Sequence, residues 1–335
     1  MLTPRQVVSV VTVFPAVLFV FGLLSVSMEA QTSVNDVHVS SRWGAARSSI
    51  SPLNSTGLSV IKTDVHLVLV PVSVTDGRQR FVTGLTRDNF EVFEGKKAQT
   101  IQNFSSEDVP VSIGIILDTS GSMKDKWDRL RDAVNQFCDA ANPEDEFFMV
   151  QFADEPRLTN DFTMSSEDLE RELIFAQPKG RTSLLDAIRM GLFKMKQAKY
   201  GKRALLIISD GGDNHSRYSE RDIRSMAKEA DVMIYSIGLF DRYMPTPEEV
   251  RGPGLLSEIA EPTGGQAFTL DTPNEMPAVA RHIGMELRNQ YVLGYRPQQA
   301  PHDGKWHKIS VRLRLPKKFY FLQARARSGY YAAAK

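Results

Sequence analysis

A single cysteine, Cys138, in a chain of 335 residues excludes any intrachain disulfide, so the fold must rest on its core or on a bound ion. Cys138 falls with Leu130, Val134, Phe137 and Ala141 at helical spacing, which reads as a small apolar core residue. Net charge is also missing. A formal +1 says nothing by itself about nucleic acid or membranes, and the average hides an asymmetry at the end of the chain. Enzyme signatures are absent too: there is no phosphate-cradling G-x-x-x-x-G-K-[ST] loop, no H-E-x-x-H helix and no G-x-S-x-G elbow. His66, His282 and His307 show no metal-ligand spacing and read as ordinary structural residues.

Long apolar runs are confined to the beginning. Met1–Arg5 is a short segment with one positive charge, Val7–Leu24 is apolar, and small residues follow at Ser25, Ser27 and Ala30. This reads as a cleavable export leader over 1–30, the alternative being an uncleaved anchor, since the run approaches the roughly 18–20 residues that span a bilayer. No cysteine follows it to carry a lipid. Residues 31–59, rich in Ser and Asn, read as a flexible spacer.

The remainder divides by hydrophobic period. In 60–107 short β-prone runs alternate with turns: Asp64–Thr75, then Phe81–Thr83, Glu91–Phe93 and Thr100–Phe104, with Pro71 arguing for an edge or a bulge. In 108–289 buried apolar runs (Val111–Leu117, Phe147–Phe152, Ala204–Ser209, Val232–Leu239, with a short Gln266–Leu270) alternate with amphipathic helices at Met123–Ala141, Ser166–Phe175, Ser183–Ala198, Glu220–Ala230, Gly254–Glu261 and Asn274–Arg288. That alternation predicts an α/β fold with a doubly wound, mostly parallel sheet covered by helices on both faces. Residues 290–332 return to β at Tyr291–Arg296, Lys308–Leu315 and Phe319–Arg327. Neither β segment is large enough to bury a core alone, so the two are expected to pair into one small β-sandwich-like unit. From Arg296 to the end there are ten Lys/Arg against one acid, Asp303, or 10 − 1 = +9. Most of these charges fall on the polar face of alternating strands and read as a solvated face.

Chemistry concentrates at the carboxyl ends of two buried runs. Asp118-Thr119-Ser120-Gly121-Ser122 follows the first, placing a carboxylate and two hydroxyls at alternate positions, with Gly121 permitting a tight turn. Asp210-Gly211 follows ALLIIS, and Gly180-Arg181-Thr182 adds a third hydroxyl ahead of a helix. In open α/β sheets ligands bind beyond the carboxyl ends of strands. An all-oxygen donor set suits Mg²⁺, Mn²⁺ or Ca²⁺ rather than zinc or copper.

These three segments, DTSGS, GRTSLLDAI and LLIISDGGD, resemble the loops of the metal-ion-dependent adhesion site in von Willebrand factor type A domains, over about residues 109–289. The flanks LVPVSVTD, GLTRDNFEVFEG, QYVLGYRP and DGKWHKISVRLR are similar to an acidobacterial subgroup of these proteins. The resemblance implies a Rossmann-like fold and a bound Mg²⁺ (or Mn²⁺ or Ca²⁺). Ser120, Ser122 and Thr182 would hold it directly or nearly so, and Asp118 and Asp210 through waters or directly. It further implies a protein partner that presents an Asp or Glu to the ion, and no nucleic acid. Asp213, Asn214 and His215 could line the rim of such a site, although loop-bracing roles suit them as well. The leading expectation is an exported, periplasmic, cell-surface or secreted adhesion module without enzymatic activity. The alternatives are a scaffold with a purely structural metal and a metal-assisted hydrolase.

Overall fold

The computed structural model describes residues 67–210, 212–240, 246–297, 303–316, 319 and 321–332. The expected leader, the spacer and His66 lie outside the described residues. The first strands are β1 (Val68–Thr75), β2 (Phe90–Glu94), β3 (Lys97–Gln99) and β4 (Ile101–Ser105). The α/β layer then runs through β5 (Ser112–Asp118), α1 (Trp127–Ala140), β6 (Glu146–Phe152), β7 (Pro156–Thr163), α2 (Ser166–Phe175) and α3 (Leu184–Lys194). It continues through β8 (Arg203–Ser209), α4 (Glu220–Glu229), β9 (Met233–Leu239), α5 (Pro247–Ala260), β10 (Ala267–Leu270) and α6 (Met276–Arg288). The closing strands are β11 (Tyr291–Tyr295), β12 (Trp306–Leu313), β13 (Gln323–Ala326) and β14 (Gly329–Tyr331).

The central sheet has the order β10-β9-β8-β5-β6-β7, with all pairs parallel except β6 with β7. Every residue of β5 is buried, as a strand covered on both faces requires. Its side chains divide by parity. Ile113, Ile115 and Leu117 enter a core with Leu130, Val134 and Phe137 of α1 and Ile283 and Leu287 of α6, while Ile116 enters the opposite core with Leu184 and Ile188 of α3. The chain leaves β5 for β6 on one side and later returns to β8 on the other. The carboxyl ends of β5 and β8 therefore flank a topological switch point.

The flanking segments interleave. One sheet has the order β13-β1-β11-β4 and the other β14-β12-β2-β3, so each draws two strands from either end of the chain. Val70, Val72 and Val74 of β1 meet Tyr291, Leu293 and Tyr295 of β11, Phe90 and Val92 of β2 and Ile309 of β12 in a third core. A buried polar knot joins this unit to the α/β layer. Glu286 on α6 accepts from the Ser73 hydroxyl (2.6 Å), the Tyr235 hydroxyl (2.7 Å) and the Arg325 guanidinium.

Several details depart from the sequence expectations. Phe81–Thr83 forms only a bridge from Phe81 to Thr75, because the loop carrying it turns back at once. Pro71 lies in an interior strand, but β13 reaches only as far as Val72, so at Pro71 the ladder lacks a partner on that side. The edge strand β7 was not anticipated; it is half-exposed and its pairing slips register twice. The helix at Gly254–Glu261 begins earlier, at Pro247, where Thr246 caps it in a reciprocal pair with Glu249. The helix expected from Met123 opens as a 3₁₀ stretch, Gly121–Lys126, before α1. Two of the C-terminal cations are not solvated strand-face charges, since Arg325 pairs with Glu286 and Arg327 with Asp231. Cys138 packs against the α1 core, and burial pushes its thiol up to about 12, far from a reactive thiolate. No helix among the described residues is long and apolar enough to cross a membrane.

Candidate metal site

Asp118 is the last residue of β5 and Asp210 the first after β8, so adjacent parallel strands deliver two carboxylates to one point. Asp118, Ser120, Thr182 and Asp210 are all buried, whereas Ser122 is exposed, so the cluster opens to solvent on its side. The Ser120 and Ser122 hydroxyls lie 3.1 Å apart. Ser122 Oγ donates to Asp210 Oδ1 at 2.8 Å, which leaves its lone pairs facing away from the carboxylate. Asp118 Oδ1 accepts the Ser120 amide at 2.8 Å and Oδ2 accepts the Ser209 hydroxyl at 2.5 Å. Each carboxylate is thus fixed by protein donors, and neutral hydroxyls lie between them.

The second loop is tied to the first by two backbone bonds, Gly121 N–H to Gly180 O (3.1 Å) and Lys179 N–H to Thr119 O (2.8 Å). Gly180 is the glycine this site demands. Its φ is +89°, and a Cβ there would come within 2.6 Å of Asp154 Oδ2. Gly121 adopts no positive φ and has room for a side chain, so the turn ascribed to it from sequence does not depend on glycine. The third loop is tied to the second by Asn214, whose Oδ1 accepts the Thr182 amide at 3.0 Å, and by the Asn214 and His215 amides, which donate to Thr182 O. Asp213 accepts the Leu185 amide at the start of α3 and the Ser216 hydroxyl. Asp213 and Asn214 therefore commit side-chain oxygens to bracing the loops, and His215 contributes its backbone.

The electrostatics are unbalanced. Burial first, and the charge of Asp210 second, push the Asp118 carboxyl up to about 6. The cation in contact with the pair is Lys126, whose ammonium meets Asp210 Oδ2. Two buried carboxylates against one ammonium leave an excess negative charge, which a divalent cation would neutralise. Among the described residues no group of three or more His, Cys, Asp or Glu is placed to hold a metal; here hydroxyl oxygens stand beside the two carboxylates. The residues fit a hard divalent cation.

Sequence reading missed two participants, Ser209 and Lys126. Ser209 gave no signal beyond adjacency to Asp210. Lys126 stands four residues after Ser122, one helical turn, and that spacing was the available clue.

The α/β part of the chain is similar to known proteins. Residues 113–212 match the family model of the von Willebrand factor type A domain. An uncharacterized protein of Borreliella burgdorferi is 25% identical over 183 residues, covering 48% of this chain and 53% of that protein. The chain thus spans about half the length of the curated relative it matches. Among solved structures, the conserved hypothetical protein BatB from Bacteroides thetaiotaomicron is similar at 19% identity, covering 52% of this chain and 98% of that one, with a TM-score of 0.43. Proximal thread matrix protein 1 from the mussel byssus, solved with a zinc-occupied MIDAS motif, is similar at 16% identity, covering 59% of this chain and 50% of that one, with a TM-score of 0.47. The matched span begins inside β5, ends just beyond β8 and contains Asp118, Ser120, Ser122, Thr182 and Asp210; the chain carries a von Willebrand factor type A domain.

Proposed function

We propose that this chain is an exported, non-enzymatic module that recognises protein partners through a divalent cation, Mg²⁺, Mn²⁺ or Ca²⁺, held by Ser120, Ser122, Thr182, Asp118 and Asp210. The observation that carries the reading is the convergence of three mutually hydrogen-bonded loops on two buried carboxylates beneath an exposed hydroxyl. When bound, the cation supplies an electrophilic position for an incoming carboxylate. The chain's own residues do the rest. Ser209 and the Ser120 amide orient Asp118, Ser122 orients Asp210, and Asn214 fixes the backbone of Thr182. In the loops that carry Ser122 and Thr182, Arg181 is paired with Asp154, while the exposed Lys124 and Lys179 favour a partner residue that is Asp or Glu.

The test is calorimetric titration of Mg²⁺ and Mn²⁺ into the wild-type protein and Asp118→Ala, followed by display of acidic peptides with and without chelator. Saturable binding lost in the variant, and peptide capture lost with chelator, are expected. Absence of metal binding in the folded wild type would refute the reading. Metal binding with no chelator-sensitive capture of any acidic peptide would move it to a structural metal.

A further inference from the structure

Lys126 is the cation nearest the site's carboxylates, and its position is specific. It ends the 3₁₀ stretch that begins at Gly121, four residues after Ser122, and its ammonium reaches Asp210 Oδ2 while Ser122 holds Oδ1. The Asp210 side chain is 0% exposed and that of Lys126 is 28% exposed, so the lysine enters from the solvent side and covers a carboxylate for which it is the one cationic partner found among the described residues. An ordinary surface ion pair has both members in water and contributes little. Here one member is fully buried, and removing its counter-ion would strand a charge.

We infer that Lys126 is a tethered cation on the metal-binding carboxylate that must yield to a divalent ion, making it a determinant of which ions the site accepts. The inference rests on the metal-binding reading above. Its physics is competition at one oxygen pair. A dication among these oxygens would share Asp210 with an ammonium, and like charges at contact distance repel strongly where water is excluded. Lys126 is long, flexible and partly exposed, so it can swing outward and rehydrate. A sodium or potassium ion brings no more charge than the ammonium it would replace. The tether also gives the ammonium a high effective local concentration, so monovalent ions lose the contest. A divalent ion brings twice the charge to two carboxylates and wins. Once displaced, the ammonium joins Lys124 at the rim, on the side from which an acidic partner would approach.

The test titrates Mn²⁺ and Mg²⁺ into wild-type protein, Lys126→Met and Lys126→Arg, with KCl as a competitor, and measures thermal unfolding of each without metal. Lys126→Met should bind divalent ions at least about tenfold more tightly, should become sensitive to KCl, and should unfold at lower temperature when metal-free. Lys126→Arg keeps the charge and should show no such tightening. As a readout on the unaltered protein, labelling of the Lys126 amine by an acylating reagent, followed by mass spectrometry, should rise when Mg²⁺ is added. If the wild type binds metal but Lys126→Met binds no tighter, or Lys126 labelling does not change with Mg²⁺, the inference falls while the metal site stands. If neither wild type nor variant binds, the metal reading falls and takes the inference with it.

Discussion

Two of the places where this molecule buries carboxylates are built on opposite rules. At the seam between α6 and the β-sandwich, one carboxylate, Glu286, faces one guanidinium, Arg325, with Ser73 and Tyr235 donating to the same oxygen. Charge is balanced there by residues that the fold itself holds in place. At the carboxyl ends of β5 and β8, two buried carboxylates stand together, Lys126 pairs with Asp210, and the charge of Asp210 raises the cost of ionising Asp118. The seam is matched in charge, one guanidinium to one carboxylate, although Glu286 Oε2 and Arg325 Nε find no hydrogen-bond partner among the described residues. The loop site sets two buried carboxylates against one ammonium and carries excess negative charge, which a divalent ion would balance. The comparison separates a charge that the fold matches with its own residues from one that a divalent ion would match.

The largest expected effect comes from breaking the balanced member. Glu286→Ala leaves Arg325 without its buried partner and should cost about 3 kcal/mol in urea unfolding. Asp118→Asn, which relieves the repulsion at the loop site, should stay within about 1 kcal/mol of wild type in metal-free buffer. If Asp118→Asn proves as costly as Glu286→Ala, both carboxylates are structural and the contrast collapses. Next in size is the response to metal. Mg²⁺ or Mn²⁺ at about a hundred times its dissociation constant should stabilise the wild-type protein by about 2.7 kcal/mol, reversed by chelator. Ser120→Ala should lose this gain, whereas a seam variant such as Arg325→Lys should keep it even if its baseline is lower. A seam variant that also loses the metal response would show that the two regions are coupled rather than distinct.

A smaller effect is expected at Gly180. Replacing it with Ala forces a side chain into a left-handed conformation and against Asp154, at about 1–3 kcal/mol locally. Because Gly180 O receives the Gly121 amide, metal affinity should fall along with stability. Affinity unchanged in a stably folded Gly180→Ala would mean that the second loop is not part of the site.

The sequence made the loop site readable because its residue types stand directly after apolar runs such as VSIGIIL and ALLIIS, which can only be buried strands. Position in the chain therefore gave position in the fold. The reach of side chains across the fold was not readable. Lys126 and Asp210 are 84 residues apart, and nothing in their types says that one 3₁₀ turn brings them into contact. Nor was the seam readable, since Glu286, Arg325 and Ser73 look like ordinary polar positions on a helix and two strands. The strand β7 escaped because PRLTNDFT has neither alternation nor a continuous apolar run, and its slipped pairing explains why it needs neither. Helix α5 was drawn too short because Gly252, Pro253 and Gly254 interrupt its middle; the Pro253 amide is lost, yet the buried Leu255, Leu256 and Ile259 hold the helix against β9.

Another buried carboxylate sharpens the comparison by supplying a control. Asp145 lies at the opposite end of the parallel strands, where it accepts the Val111 amide at 2.6 Å and the Asn142 amide at 2.9 Å. Burial pushes its carboxyl from 3.8 up to about 6, although these donors and Lys202 pull the other way. The folded protein therefore holds this proton more tightly than the unfolded chain does. The stabilising contribution is fully present below about pH 4 and is lost as the pH rises through about 6. Asp118 would give the same signature, so a pH titration of stability in wild-type protein mixes a backbone-held carboxylate with a site carboxylate. Asp145→Asn should flatten the dependence between about pH 4 and pH 6 while leaving divalent-ion affinity unchanged. Asp118→Asn should flatten it and abolish the affinity. If Asp145→Asn weakened metal binding, the excess negative charge would not be localised at the β5 and β8 ends. The distinction between a carboxylate that the fold satisfies and a pair that it leaves under-compensated would then have to be abandoned.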